Sequence, residues 1–369
     1  MSIYNTIVIS AVNFIEGGPL SILKKCVEEL LRFNADNQYK IYVLVHSKSL
    51  LSEYKGIECI ECSMAKKNWL IRLYYEYFGF RKLSKKLLPK VWISLHDITP
   101  NVCAEYLYTY MHNPSPFYQK NGETQLSWKF NLFVKFYKYL YKCNVKTNTS
   151  VIVQQGWFRD KISELCSLPK EKIIVAYPEQ SVLDVSSYDG NYNKAQFFYN
   201  AFPRDFKNFE IICEACNILD KHQLDANWNV YLTIDGTENN YSKKIVEKYK
   251  NNSHIHFIGL ISRIECEKYY RSSEVLIFPS TLETWGLPIS EFKVYGKKMI
   301  LADLPYAHEA ASGAEFVSYF NPYNAQQLAE IMKNVISDNC VGTFSNVPKL
   351  PIDSPFCVSW QELFKLIKL

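Results

Sequence analysis

No run of apolar residues in this chain reaches the ~18–20 that a membrane-spanning helix needs. The first residues also lack the basic, apolar and small-residue regions of a secretory signal. A cytoplasmic protein is therefore expected. One-sided charge is missing as well: 42 Lys and Arg against 37 Asp and Glu leave a net +5. That is too mild for the strongly basic domain that nucleic-acid binding uses, so no nucleic-acid partner is expected. The cysteines lack a regular framework: there are 11 of them, an odd number scattered singly apart from Cys59-x-x-Cys62 and Cys213-x-x-Cys216, which fits free thiols in a reducing compartment. These two pairs lie far apart with no neighbouring His pair, and Cys213 and Cys216 fall at i, i+3 on a helical pattern where small buried residues belong. No metal site is expected. The dinucleotide fingerprint Gly-x-Gly-x-x-Gly is absent, as are Asp-x-Asp, short-period repeats and low-complexity segments.

What the chain does have is size, aromatic content and alternation. Its 369 residues allow two domains, and 27 Tyr and 22 Phe supply ample core. Strand-like runs separated by helical patterns begin with Thr6–Ser10, Gly17-Gly18 and the helical stretch 22–33. They continue through 41–45, 56–61, 91–95, 106–111, 151–153 and 173–175. A second set takes in 197–199, 230–234, 255–258, 275–278 and 299–302. Such alternation predicts an α/β fold of two Rossmann-like, doubly wound parallel-sheet domains with a cleft between them. The expected boundaries are an N-terminal domain over 1–180, a C-terminal domain over 195–350, and a helix over 351–369 docking back toward the N-terminal domain. The polar stretch from Tyr177 to Asn193 reads as the linker.

The most informative stretch is Phe278 to Glu291. Val275–Phe278 suits a strand buried on both faces. Pro279 and Ser280 end it, Gly286 marks a tight loop, and Pro288 opens a helix. Backbone N–H groups at such a helix start favour an anion. Glu283 and Glu291 nevertheless bring two carboxylates to the same place, which makes sense if they hold sugar hydroxyls. Each ionised carboxylate offers two acceptor oxygens suited to a vicinal diol.

Embedded as Pro-Ser-x-x-Glu-x-x-Gly-Leu-Pro-x-x-Glu, the stretch resembles the E-x7-E signature of retaining GT-B glycosyltransferases of family 4, the glycosyl transferases group 1 type. Tyr269 and Tyr270 before the strand and the run Ala302 to Glu309 after it are similar too. Gly17-Gly18-Pro19 and His112 to Pro116 carry the likeness more loosely into the N-terminal half. The resemblance implies that Glu283 contacts the donor sugar, that backbone N–H groups around Gly286 and Leu287 hold the diphosphate and sugar, and that Glu291 accepts from the ribose hydroxyls. Lys207 matches the family lysine that neutralises the leaving diphosphate, as a metal does in other transferases. Arg204 either fills the partner arginine's place or is a solvated loop residue, because Ala201-Phe202-Pro203 replaces the usual Gly-Arg. His112 either orients the sugar near the reacting centre or holds a turn. Gly18 lets backbone approach a phosphate or is a plain loop glycine, and Gly236 borders the base pocket. Asp97 meets the acceptor or caps the segment after Pro100.

These likenesses imply an enzyme that moves a sugar, with retention, from a nucleotide-diphosphate sugar to a glycan or lipid-linked acceptor in cell-envelope polysaccharide synthesis, with no cofactor beyond the donor. The alternatives are a same-fold sugar-nucleotide epimerase or phosphorylase, or a non-catalytic nucleotide-binding partner subunit. Two stretches mix basic and aromatic residues at helical spacing, from Lys66 to Lys86 and from Trp128 to Lys142. They either rest on anionic headgroups at the cytoplasmic membrane face or pack the sheet with snorkelling lysines.

Overall fold

The computed structural model describes residues 5–118, 128–179, 190–222, 227–367 and 369. Most of the polar stretch read as the linker, 180–189, lies outside the described residues. The chain separates into two compact units, one built from Met1–Gln119, Gln125–Glu179 and Ile352–Leu369, the other chiefly from Gln180–Pro351.

The strands, in chain order, are β1 Thr6–Ser10, β2 Lys40–Val45, β3 Ile57–Glu61, β4 Val91–Ser94, β5 Tyr106–Met111, β6 Ser150–Val153, β7 Ile173–Ala176, β8 Asn193–Tyr199, β9 Asn229–Leu232, β10 Ile255–Phe257, β11 Ser273–Phe278, β12 Lys298–Ala302, β13 Val317–Phe320 and β14 Phe356–Cys357. In the first unit they form an eight-stranded sheet ordered β14-β7-β6-β5-β4-β1-β2-β3. In the second, six strands run β10-β9-β8-β11-β12-β13. All twelve strand pairings are parallel. The α/β reading of two parallel sheets therefore holds.

Parallel strands must be covered on both faces, and the first sheet shows how the sequence arranges it. Ile7 and Ile9 of β1 join one core together with Leu23, Val27 and Leu30 of helix α1 (Gly17–Phe33). Val8, on the opposite face, joins a second core with Trp92 and Phe80. The odd and even positions thus each find an apolar partner. The C-terminal segment belongs to this unit too: Trp360, Leu363 and Phe364 enter the α1 core, and the Tyr108 hydroxyl donates to the Ile367 carbonyl at 2.9 Å.

The stretch from Lys66 to Lys86 is less regular than its periodicity suggests. It runs as α2 (Trp69–Tyr74), a π-helical turn over Tyr75–Gly79, and α3 (Phe80–Leu87). Helix α4 covers Trp128–Lys142 and α5 Gly156–Cys166. The second unit carries α6 (Phe209–Asp220), α7 (Asn240–Tyr249), α8 (Arg263–Ser272), α9 (Leu287–Lys293), α10 (Pro305–Ala310) and α11 (Ala325–Ile336), and α12 (Trp360–Leu366) ends the chain in the first unit. Cys213 and Cys216 are fully buried on α6. Among the described residues no helix is long and apolar enough to cross a membrane.

In each sheet the chain builds outward on one side and then returns to build the other. The reversals fall between β1 and β4 in the first unit and between β8 and β11 in the second. Loops leaving the carboxyl ends of adjacent strands diverge at such a reversal, and ligands bind in the space they leave.

Candidate active site

At the β8/β11 reversal, the loops after the two strands are tied to each other. The Thr281 N–H donates to the Phe206 carbonyl at 2.7 Å, and the Ser280 hydroxyl, fully buried, reaches the same carbonyl at 3.2 Å. This pins 206 against 280–281 and brings Lys207 beside Glu283. Lys207 Nζ and Glu283 Oε1 form a tight ion pair, with side-chain exposures of 18% and 16%. Lys207 is held from behind, since the Tyr199 hydroxyl donates to its carbonyl at 2.8 Å. Asn208 follows in the left-handed region at φ 57°, which turns the chain into α6.

The loop around Glu283, up to the start of α9, is set by two hydrogen bonds and one glycine. The Trp285 indole donates to Ser290 Oγ at 2.9 Å. The Tyr306 hydroxyl donates to the Ser280 carbonyl at 2.6 Å. Burial, and then the charge of Glu283, hold that phenol well above its usual range, so it stays a donor. Gly286 lies at φ 86°, a conformation that favours glycine, and a Cβ there would press on Ile289 Cδ1 at 3.1 Å. Helix α9 starts at Leu287, and Pro288 takes its second position, where a missing N–H costs nothing.

Glu291 lies one turn into α9, and both its oxygens are engaged. Arg263 Nη1 donates to Oε1 at 2.6 Å, and the Tyr270 hydroxyl donates to Oε2 at 2.9 Å. Tyr270, fully buried, also bonds Asn200 at the end of β8. Each carboxylate oxygen has a second lone pair, so the arrangement fixes Glu291 without exhausting it. Arg263 was not singled out from the sequence. Its only local signal is the capping box formed by Ser262 and Glu265, which starts α8 and sets the register that points Arg263 at Glu291.

The remaining positions in this unit are less engaged. Arg204 is exposed, its guanidinium 5.9 Å from the Phe202 ring centre, and no ion pair to it is found among the described residues. Gly236, at φ 93°, gives its N–H to Glu238 Oε2 at 3.1 Å. A Cβ on the neighbouring Gly259 would lie 2.8 Å from Asp235 Oδ2. Asp303 pairs with His308 at 2.7 Å.

In the first unit, Asp97 is 4% exposed and sits at φ 71°. Its Oδ1 accepts from the backbone N–H of His112 at 2.7 Å and of Asn113 at 3.0 Å, and from the Tyr141 hydroxyl at 3.0 Å. The reading of Asp97 as a cap for the segment after Pro100 is replaced by this: it holds the turn that carries His112. The His112 ring is 17% exposed and lies edge-on to Phe14 at 5.4 Å. Gly17, at φ 63°, and Gly18 open α1, with no atom within 4 Å of a Cβ at either. Of three buried polar residues of this unit, Glu76 and His96 carried no individual role from the sequence, and Arg72 was read only as part of the basic, aromatic stretch from Lys66 to Lys86. Arg72 and Glu76 fall inside a run that reads as a basic surface helix.

Two parallel doubly wound sheets, with a Glu-x7-Glu loop after a buried strand and a lysine brought to the first glutamate, define a GT-B glycosyltransferase. Residues 191–346 match the family model described as Glycosyl transferases group 1. That match spans most of the second unit, so this part of the chain carries the family's glycosyltransferase domain. The chain is 22% identical over 277 residues to the O-antigen chain mannosyltransferase RfbU of Salmonella typhimurium, covering 72% of this chain and 68% of the relative. Its fold is similar to the apo form of the lipopolysaccharide outer core galactosyltransferase WaaB, with a TM-score of 0.66 at 12% identity and 98% of each chain covered. It is also similar to Anabaena Alr3699/HepE in complex with UDP-glucose, with a TM-score of 0.61 at 14% identity, covering 90% of each chain.

Proposed function

We propose that this enzyme transfers one sugar, with retention, from a nucleotide-diphosphate sugar to a glycan or lipid-linked acceptor. The observation that carries the proposal is the Lys207–Glu283 pair at the β8/β11 reversal. A cation beside a carboxylate suits the junction of a diphosphate and its sugar, the one for the phosphate charge and the other for sugar hydroxyls. Lys207 stabilises charge developing on the departing diphosphate, a task that needs a positioned cation. Glu283 accepts from hydroxyls of the transferred sugar, and Glu291, steadied by Arg263 and Tyr270, accepts from the ribose. Gly286 and Leu287 supply backbone donors, with Gly286 kept bare so that the loop can turn. Arg204 is the second cation available to the diphosphate. Gly236 lines the base side only through its fold, since its N–H is spent on Glu238.

On the acceptor side, His112 orients the sugar and Asp97 acts through it by fixing its turn. Gly18, with open space around it, allows the close approach of a phosphate or acceptor group. The complexes of similar structures with UDP and UDP-glucose favour a nucleotide sugar as donor. A thermal-shift screen over UDP-, GDP- and ADP-sugars tests the donor, because a ligand that binds only the folded state raises its melting temperature. A concentration-dependent shift with one nucleotide class, lost in Glu291→Ala, is expected. No shift with any of them at millimolar concentration would count against the proposal.

A further inference from the structure

The β1/β4 reversal in the first unit holds a cavity of ≈ 370 Å³. Its lining includes Lys66, Lys67 and Arg72 and no carboxylate, together with His96, Trp69 and Tyr137. Lys66 and Lys67 are exposed, and among the described residues no ion pair to either is found. Arg72 is 6% exposed: its Nε lies 2.7 Å from Glu76 Oε1, and its Nη2 donates to Asn13 Oδ1 at 3.4 Å. Glu76 is fully buried on the π-helical turn, a distortion often found at functional sites. It fixes the Arg72 fork from behind while standing outside the lining. His96 is 1% exposed and bonds Ser10 at 2.8 Å through Nε2. Two exposed lysines beside one buried, held arginine offer the chemistry of an anion site.

A second feature lies on the helix that carries Arg72, beginning at Leu70, next in sequence to the lining residue Trp69. Leu70, Tyr74 and Phe78 are 80%, 60% and 68% exposed. Spaced four apart, they form an outward apolar stripe about 12 Å long, and the Tyr74 and Phe78 rings stack at 6.0 Å. Trp69 links the two features, packing on Phe136 and Tyr137 at 5.1 and 5.8 Å while lining the cavity. A soluble phosphate would leave the stripe unexplained. A plain membrane surface would need no cavity at a strand reversal.

We infer that this cavity binds the phosphate or diphosphate of a lipid-linked acceptor. Lys66, Lys67 and Arg72 take the anion, and the Leu70–Tyr74–Phe78 stripe carries the start of the lipid chain. The inference rests on the acceptor reading above and narrows it to an acceptor whose anion and chain are adjacent.

Isothermal titration of the full chain with farnesyl diphosphate, inorganic diphosphate and farnesol tests it without any sugar donor. Farnesyl diphosphate should bind at least about tenfold more tightly than inorganic diphosphate or farnesol, since it alone satisfies both features. Lys66→Ala/Lys67→Ala should weaken both diphosphates about tenfold or more. Leu70→Ser/Phe78→Ser, at two exposed positions that do not threaten folding, should remove only the advantage of the lipid. Lys207→Ala should leave farnesyl diphosphate binding unchanged, which separates this cavity from the donor site. Equal affinity for the three probes, unchanged binding in Lys66→Ala/Lys67→Ala, or loss in Lys207→Ala alone would overturn the inference. So would binding to phosphatidylglycerol vesicles that depends on Leu70 and Phe78 while farnesyl diphosphate ignores Lys66 and Lys67; that result assigns the stripe to a membrane surface. Because these variants lie in the first unit and the nucleotide screen reads the second, failure of one leaves the other result standing.

Discussion

Replacing Lys207 by alanine separates what the Lys207–Glu283 pair does for folding from what it does for transfer. With side-chain exposures of 18% and 16%, the pair lies between a surface ion pair, worth about 0–1 kcal/mol, and a buried one, whose rupture costs about 3–5 kcal/mol. A folding loss of roughly 1–2 kcal/mol is therefore expected, leaving the protein folded at assay temperature. The chemical loss is larger. Removing one preorganised charge donor from a developing anion costs about 3–4 kcal/mol, or roughly 100- to 1000-fold in rate. The assay is kcat/KM for sugar transfer with the donor found in the thermal-shift screen, alongside the melting temperature. Glu283→Gln keeps the shape and removes the charge, so it should also lose transfer. The double variant should lose less than the product of the two singles, because the residues act together. Turnover within about threefold of the parent enzyme in both single variants would refute the assignment.

Glu291→Ala should weaken nucleotide binding by about 1–3 kcal/mol, read as a higher Kd by titration, because it removes two acceptor oxygens and the bonds they make to Arg263 and Tyr270. Asp97→Ala should destabilise the first unit by about 2–4 kcal/mol through three lost hydrogen bonds, while Asp97→Asn, which keeps the accepting oxygen, should cost less; chemical unfolding measures both. Glu76 is pushed up to about 7 by burial, opposed by Arg72. Its folded value lies above its unfolded one, so the folded state binds the extra proton. Its contribution to stability is therefore full below the ordinary carboxyl range and is lost as pH rises toward about 7. Buried His96, pushed well below its usual range, acts in the opposite sense, its contribution being lost as pH falls below the ordinary histidine value. The difference in unfolding free energy between the parent and Glu76→Gln from pH 5 to 8 isolates the first effect. A difference that does not vary with pH would refute it.

The two parallel sheets were legible because each strand is a short apolar run between helical patterns. Even so, β13 and β14 went unread, being short and carrying Ser318 or only two residues. The Glu-x7-Glu loop was legible for a different reason: its parts are contiguous, and Pro279, Gly286 and Pro288 restrict its backbone locally, before Phe206 and Tyr306 hold it in place. The Lys66–Lys86 stretch was misleading in detail. Mixed basic and aromatic residues hide the burial of Arg72 and Glu76, because side-chain periodicity cannot report a π-helical turn that shifts the register by one residue.

Local order, the strand runs and the signature loop are matters of sequence, since backbone preference and hydrophobic period act over a few residues. Which charges meet was decided by tertiary structure alone. Lys207 and Glu283 are 76 positions apart, and Arg263 and Glu291 are 28 apart. Only the reversal of strand order at β8/β11, together with the Thr281–Phe206 backbone bond, closes the first of these pairs. Ion pairing needs contact within a few ångströms, and no spacing along the chain encodes that distance once a sheet has been crossed.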